Sequence, residues 1–161
     1  MKKQDKTNVM RLLDAAKIDY GAHYYKPDPT MTGEQIAEIL NEETDRVFKT
    51  LVTRGKSGSY YVFVIPVAAE LNLKKAAKVS GEKAVSMIKQ KELLPLTGYV
   101  HGGCSPIGMK KPFPTVFDAS AEDLDEIVVS GGKVGLQIRL KTADLLRIVG
   151  AQTADICVDK D

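Results

Sequence analysis

Lys49 stands in the middle of an apolar run, Val47-Phe48-Lys49-Thr50-Leu51-Val52, whose β-branched and aromatic content predicts a strand. Alternation puts Lys49 on one face with Val47 and Leu51, and Phe48, Thr50 and Val52 on the other. If the Lys49 face is the core, an ammonium group sits at the rim of an apolar interior, where an anionic partner becomes valuable. If the strand is an edge, the stem only snorkels to solvent. A second stretch able to do chemistry is His101-Gly102-Gly103-Cys104-Ser105-Pro106-Ile107-Gly108. Paired glycines let a ligand approach the backbone, and successive N–H groups can converge on an anion or a developing oxyanion. Cys104 beside His101 has the residue types of an assisted thiol nucleophile, and the same pair is half of a zinc site that lacks a second half in the sequence. Ser130-Gly131-Gly132 repeats the glycine pair, here with a tight hairpin as the plainer reading.

The elements that must position these residues interleave helices and strands without a repeat. Thr7 caps a helix presenting Val9, Leu12, Leu13 and Ala16 on one face, and Tyr20 to Tyr25 reads as a short strand. Lys26-Pro27-Asp28-Pro29-Thr30 is a turn, and Thr32 with Gln35 forms a capping box ahead of Ile36, Ala37, Ile39 and Leu40. Strands over 46–53 and 59–67 flank Gly55-Lys56-Ser57-Gly58 as a hairpin, and a helix over 71–80 ends at Gly81. A strand near 84–87 and a helical turn near 88–94 lead to Pro95, followed by a long loop from Gly98 to Pro114. Then come a strand at 115–118, a short acidic helix capped by Ser120 with Asp123, strands at 127–130 and 136–140, and a helix capped by Thr142 and closed by Gly150. Asp155 to Val158 reads as an edge strand. This order predicts a mixed α/β (α+β) fold rather than a doubly wound parallel sheet.

At 161 residues, 43% hydrophobic and 27% charged, the chain has the size of one domain, residues 1–161, with one sizeable core. No apolar run approaches the roughly 18 residues of a membrane span, and the start, Met1-Lys2-Lys3-Gln4-Asp5-Lys6, lacks the apolar centre of a signal peptide. Two distant cysteines without a paired spacing fit a reducing compartment, so the expectation is a cytoplasmic protein without a membrane partner. The net charge of +2 conceals an asymmetry. Residues 46–117 carry 12 Lys/Arg against 3 Asp/Glu, whereas both flanking segments are acidic. Such a block suits a phosphate-facing surface, or a merely solvated face, and no aromatic-rich motif marks it as a general single-strand binder.

Taken jointly, Lys49-Thr50-Leu51, Gly98-Tyr99 leading through Gly102-Gly103-Cys104-Ser105-Pro106-Ile107-Gly108 to Lys110-Lys111, and Val129-Ser130-Gly131-Gly132-Lys133 resemble the YbaK/EbsC family. These are free-standing aminoacyl-tRNA deacylases related to the editing domain inserted in prolyl-tRNA synthetases. The resemblance runs from about residue 7 to 157, with the motifs in the family's order. It implies a mixed, partly closed β-barrel-like sheet surrounded by helices, and removal of a wrongly attached small amino acid, chiefly cysteine from proline tRNA. The functional lysine falls on Lys49, its neighbour on Thr50, the substrate-contacting tyrosine on Tyr25, the glycine loop on Gly102 and Gly103, and the serine on Ser130. Where relatives often carry an aspartate, seven residues beyond that serine, this chain has Gln137, which hydrogen bonds but brings no negative charge. Cys104 stands where some relatives have an aliphatic residue.

The resemblance also implies a mechanism without a cofactor or metal. The sequence shows no Ser-His-Asp order, no metal cluster and no carboxylate base near the motifs. The sulfur of a cysteinyl ester would instead attack its own carbonyl, releasing tRNA and a thiolactone. Lys49 would orient the terminal adenosine or its phosphate, and N–H groups near Gly102 and Gly103 would receive the oxyanion. The aminoacyl-tRNA acceptor end would meet the basic middle segment, with prolyl-tRNA synthetase as a further partner. Removal of another small amino acid such as alanine, and a non-catalytic tRNA- or synthetase-binding module, are the alternatives.

Overall fold

The computed structural model describes residues 5–28 and 30–159; residues 1–4, Pro29 of the predicted turn and residues 160–161 lie outside the described part. Helix α1 (Asn8–Ala15) is capped by Thr7, whose hydroxyl accepts from the Met10 N–H at 3.3 Å, and it buries Val9, Met10 and Leu13 while Leu12 stays partly exposed. Strand β1 (Tyr20–Tyr24) follows, and then α2 (Gly33–Ile39) behind the predicted Thr32/Gln35 capping box. The predicted hairpin is β2 (Phe48–Gly55) with β3 (Tyr60–Pro66), paired antiparallel with Lys49 opposite Ile65. Helix α3 (Leu73–Ser80) ends on Gly81 in the left-handed conformation, φ 76°. Strand β4 (Val85–Met87) covers only the end of β2, Thr53–Gly55.

Helix α4 (Gln90–Thr97) runs through Pro95 instead of stopping before it. The proline lies in the last turn, where it forgoes one backbone bond, and the Thr97 hydroxyl and Gly98 N–H tie that turn to the Leu93 and Leu94 carbonyls. Strand β5 (Thr115–Asp118) leads into a 3-10 turn, Ala119–Asp123, capped by Asp118 and not by Ser120. Strands β6 (Glu126–Ser130) and β7 (Leu136–Lys141) precede α5 (Thr142–Val149). Lys141, not Thr142, is the residue before that helix, and the Thr142 hydroxyl is buried without a partner. The last strand is β8 (Gln152–Ala154), earlier than expected; of the 155–158 segment, Cys157 makes only an isolated bridge to Leu71.

The strands form two sheets, β1-β7-β6 and β4-β2-β3-β5-β8, the second with parallel β3-β5 and β5-β8 pairs. They are joined where Val47 bridges Val128 in parallel, with the Val128 N–H donating to the Arg46 carbonyl at 3.0 Å. The mixed α/β architecture is thus as expected, partly closed at this junction and not continued into a barrel. Leu136, Ile138 and Leu140 of β7 pack with Phe48, Val52, Val62 and Val64 in the main core, while Phe63 and Ile65 turn to a second core under α3. A third, small cluster of Ala37, Val47, Val67 and Val128 fastens α2 over the sheet junction.

Candidate active site

The junction of the two sheets opens into a cleft. Hydrogen bonds from the Val67 N–H to the Val47 carbonyl and from the Gly55 N–H to the Ser59 carbonyl show that the odd-numbered residues of β2 spend their backbone groups on β3. The even-numbered residues therefore point theirs to the other edge. That edge is covered at Val47 by β6 and from Val52 onward by the Ile88 N–H and β4, but between them no strand pairs with it among the described residues. Thr50 sits in this gap with its N–H and C=O on the open edge. A cleft of about 420 Å³ occupies the gap.

The same junction aligns side chains. Val47 and Val128 are bridge partners in parallel, so two residues further on Lys49 and Ser130 come level, on the same face, as β2 and β6 separate. Ser130 is opposite Gln137, and Gln137 opposite His23, in the antiparallel ladders. The row Lys49, Ser130, Gln137, His23 thus crosses one face, and its first three members line the cleft. Lys49 stands among Val47, Leu51 and the buried Ile65 opposite it, so its neighbours on β2 and β3 are apolar and its strand is interior to the sheet. Among the described residues its ammonium makes no ion pair or side-chain hydrogen bond.

Two buried polar atoms in the cleft lack partners: the Thr50 hydroxyl, on the opposite face of β2, and the Oε1 of Gln137, which is only 5% exposed. Unpartnered buried acceptors are costly, which makes them natural ligand contacts. The Ser130 hydroxyl already accepts the Gly132 N–H at 3.2 Å and retains capacity for another bond. Tyr25 lies outside the cleft lining; it continues β1 opposite Gly135, and its buried hydroxyl is also unpartnered.

The glycine pair divides. Gly102 lines the cleft with φ 87°, a conformation that other residues adopt only with strain. Gly103 is buried, its N–H donates to the Val100 carbonyl at 3.0 Å, and a Cβ there would lie 2.9 Å from the Lys133 backbone. Its N–H is therefore not free for an oxyanion. Gly103 lets the loop seat on the turn that follows Ser130. Cys104 also lines the cleft, but burial pushes its thiol up to about 12, with the Thr97 side chain only partly offsetting this. Such a thiol is protonated at neutral pH and a poor nucleophile. His101 lines the cleft as well, yet no group of three or more metal-ligating side chains occurs among the described residues.

Sequence reasoning did not place α2 or α4 at the site. Thr32, Gly33 and Ile36 form one wall, and Ile88, Gln90 and Leu93 another. The capping box marked where α2 starts, but only the Gly33–Val67 approach, where a Cβ would lie 2.5 Å from the valine side chain, sets that start against the cleft.

Among known proteins, residues 27–148 match the family described as "Aminoacyl-tRNA editing domain". The chain is 45% identical over 156 residues to the "Putative Cys-tRNA(Pro)/Cys-tRNA(Cys) deacylase EbsC" of Enterococcus faecalis, covering 96% of this chain and 95% of that one. It is 29% identical over 140 residues to a proline–tRNA ligase of Thermosipho africanus, covering 83% of this chain and 24% of the ligase. Its fold superposes with a TM-score of 0.79 on the crystal structure of "a putative trans-editing enzyme for prolyl tRNA synthetase", at 25% identity and covering 96% of this chain and all of that one. With a family match over most of its length and a near full-length relative at this identity, the chain belongs to the aminoacyl-tRNA editing domain family.

Proposed function

We propose that this chain deacylates mischarged tRNA in trans, chiefly cysteinyl-tRNA(Pro) and also cysteinyl-tRNA(Cys), by letting the substrate's own thiol cleave the ester. The observation that carries the reading is the convergence, in one gap between β2 and β6, of Lys49, an open strand edge at Thr50 and the buried acceptor of Gln137. Membership of the editing family and the likeness to the EbsC protein support the substrate class.

In this mechanism Lys49 meets the phosphate or ribose of the terminal adenosine, and the Gln137 Oε1 accepts from the α-ammonium group. The Thr50 hydroxyl and Ser130 hold the rest of the ester, and Tyr25 supports the β1 side of the sheet. Sulfur attacks the carbonyl, the S–C bond forms, the C–O bond to ribose breaks, and the thiol proton ends on the departing ribose oxygen. The oxyanion in between is met by the Gly102 N–H and the outward Thr50 N–H, donors that water does not need to reorganise. Cys104 takes no covalent part, in keeping with its raised pKa. Likeness to part of proline–tRNA ligases supports action beside that synthetase.

The test is single-turnover deacylation of Cys-tRNA and Ser-tRNA with identification of the product. The reading expects thiolactone from Cys-tRNA and, for serine, a rate reduced by far more than the roughly one or two orders of magnitude that size selection alone would give. Comparable rates on both, or free cysteine with no cyclic intermediate, would return the chemistry to an activated water.

A further inference from the structure

The cleft continues into a second, more open groove of about 760 Å³, with Gln90 and His101 lining both. Pro27, Val100 and Val134 give the groove an apolar lining from three separate segments. Three of the lining segments carry lysine beside them in the chain: Lys26 precedes Pro27, Lys89 and Lys91 bracket Gln90, and Lys133 precedes Val134. Lys26, Lys89 and Lys91 are exposed and Lys133 is half-buried. The acids in these segments are engaged, the Asp28 carboxylate by the Thr30 N–H and hydroxyl, and Glu92 by the Lys89 N–H. Next to the groove the Lys133 ammonium lies 5.9 Å from the ring centroid of Tyr24, a residue 43% exposed.

Lysines next in the chain to residues that line an apolar trough, with an exposed aromatic ring nearby, supply what single-stranded nucleic acid requires, charge for the phosphates and flat or apolar surface for the bases. We propose that this groove holds the unpaired nucleotides that precede the terminal adenosine of the substrate tRNA, with Lys26, Lys89, Lys91 and Lys133 on their phosphates. The inference rests on the proposed function, because the continuity with the ester-binding cleft is what singles out this polyanion. A strand whose 3′ end lies at Thr50 has the groove as its continuation.

The test combines the Lys89→Ala/Lys91→Ala variant with three probes: Cys-tRNA, 3′-O-cysteinyl-adenosine, and a labelled single-stranded RNA oligonucleotide ending in CCA. The variant should raise KM for Cys-tRNA about tenfold with kcat unchanged, since two phosphate contacts are lost at physiological salt. Turnover of cysteinyl-adenosine, which has no upstream nucleotide, should not change. Oligonucleotide binding should weaken, with the slope of log affinity against log salt smaller by about 1.4. Equal losses on both substrates, or unchanged KM and oligonucleotide binding, would overturn the assignment; the second result would also be that of a groove that receives a protein segment. If the wild type deacylates nothing, the proposed function fails while the oligonucleotide still reads the groove. Binding that the variant weakens then supports the groove, and absence of binding by the wild type overturns it.

Discussion

At the scale of single residues, the proposed chemistry rests on one ammonium group set among apolar neighbours and leaves a nearby thiol out of the reaction. Lys49 lies level with Ser130 across the cleft and has no ion-pair partner among the described residues, so removing its charge leaves no buried counter-charge stranded. Lys49→Ala should keep its melting temperature within a few degrees and lose roughly a hundredfold in kcat/KM on Cys-tRNA, the cost typical of one preorganised electrostatic contact. Lys49→Arg should recover little, because a planar fork does not replace a compact ammonium in a confined cleft. Cys104→Ala should retain most activity. With the thiol raised to about 12, alkylation of Cys104 at neutral pH should also be slow and should speed up only in strongly alkaline buffer. A covalent acyl adduct trapped on Cys104 would contradict both expectations.

At the scale of elements, two close fits hold the site's parts in place. The Gly103 Cα faces the backbone of Lys133 and Val134, so Gly103→Ala forces one of two main-chain segments to move. The expected cost is about 1–3 kcal/mol of stability, measured by denaturant unfolding, together with lost activity as Gly102 is displaced. At the end of β5, Asp118 accepts from the Ser120 and Ile156 N–H groups at 3.2 Å, fixing the 3-10 turn and the final segment at once. Burial pushes this carboxyl up, but hydrogen bonds from Ser120, Ile156 and Cys157 outweigh burial and hold it below its ordinary 3.8. A carboxyl lowered by folding stabilises the folded state above that ordinary value, and the contribution disappears as pH falls through the lowered one. Wild-type stability should therefore drop below about pH 4 more steeply than that of Asp118→Asn, as read from melting temperatures across pH 2–6.

At the scale of the whole molecule, the decisive feature is the joint between two sheets whose strands, among the described residues, are bridged at Val47 and Val128 and then diverge. Arg139 of β7, opposite the bridging Val128, ties the segment after α2 to β6 beside that joint, donating to Glu42 at 2.8 Å and to Glu126 at 3.0 Å. Glu42 is only 11% exposed, so removing the guanidinium leaves a nearly buried carboxylate unpaired. Arg139→Met should cost about 1–3 kcal/mol in unfolding free energy and raise KM, since α2 supplies one wall of the cleft. Restoring charge with Arg139→Lys should rescue stability only in part, because Lys lacks the fork that reaches both acids.

Much of this was already determined by local sequence. Thr7, the Thr32/Gln35 box, Gly81 and Gly150 mark helix ends because caps act within a turn of their own position, and the β2-β3 hairpin follows from period-two alternation around Gly55 to Gly58. Lys49, Thr50, Gly102, Ser130 and Gln137 stand out by type and motif, and the structure brings these five to one cleft. Other features depend on contacts that no local window contains. The caps of the 3-10 turn and of α5 fell one or two residues from the predicted positions, because Asp118 is also claimed by Ile156 across 38 residues and Thr142 is turned into the interior. The open edge at Thr50 exists only because β4 is too short to cover it and β6 departs after Val128. Gly103 became a packing residue because the turn after Ser130 folds against it. Residue chemistry is written along the chain, whereas an unpaired strand edge is created by what the neighbouring strands leave uncovered, and only the tertiary structure decides that.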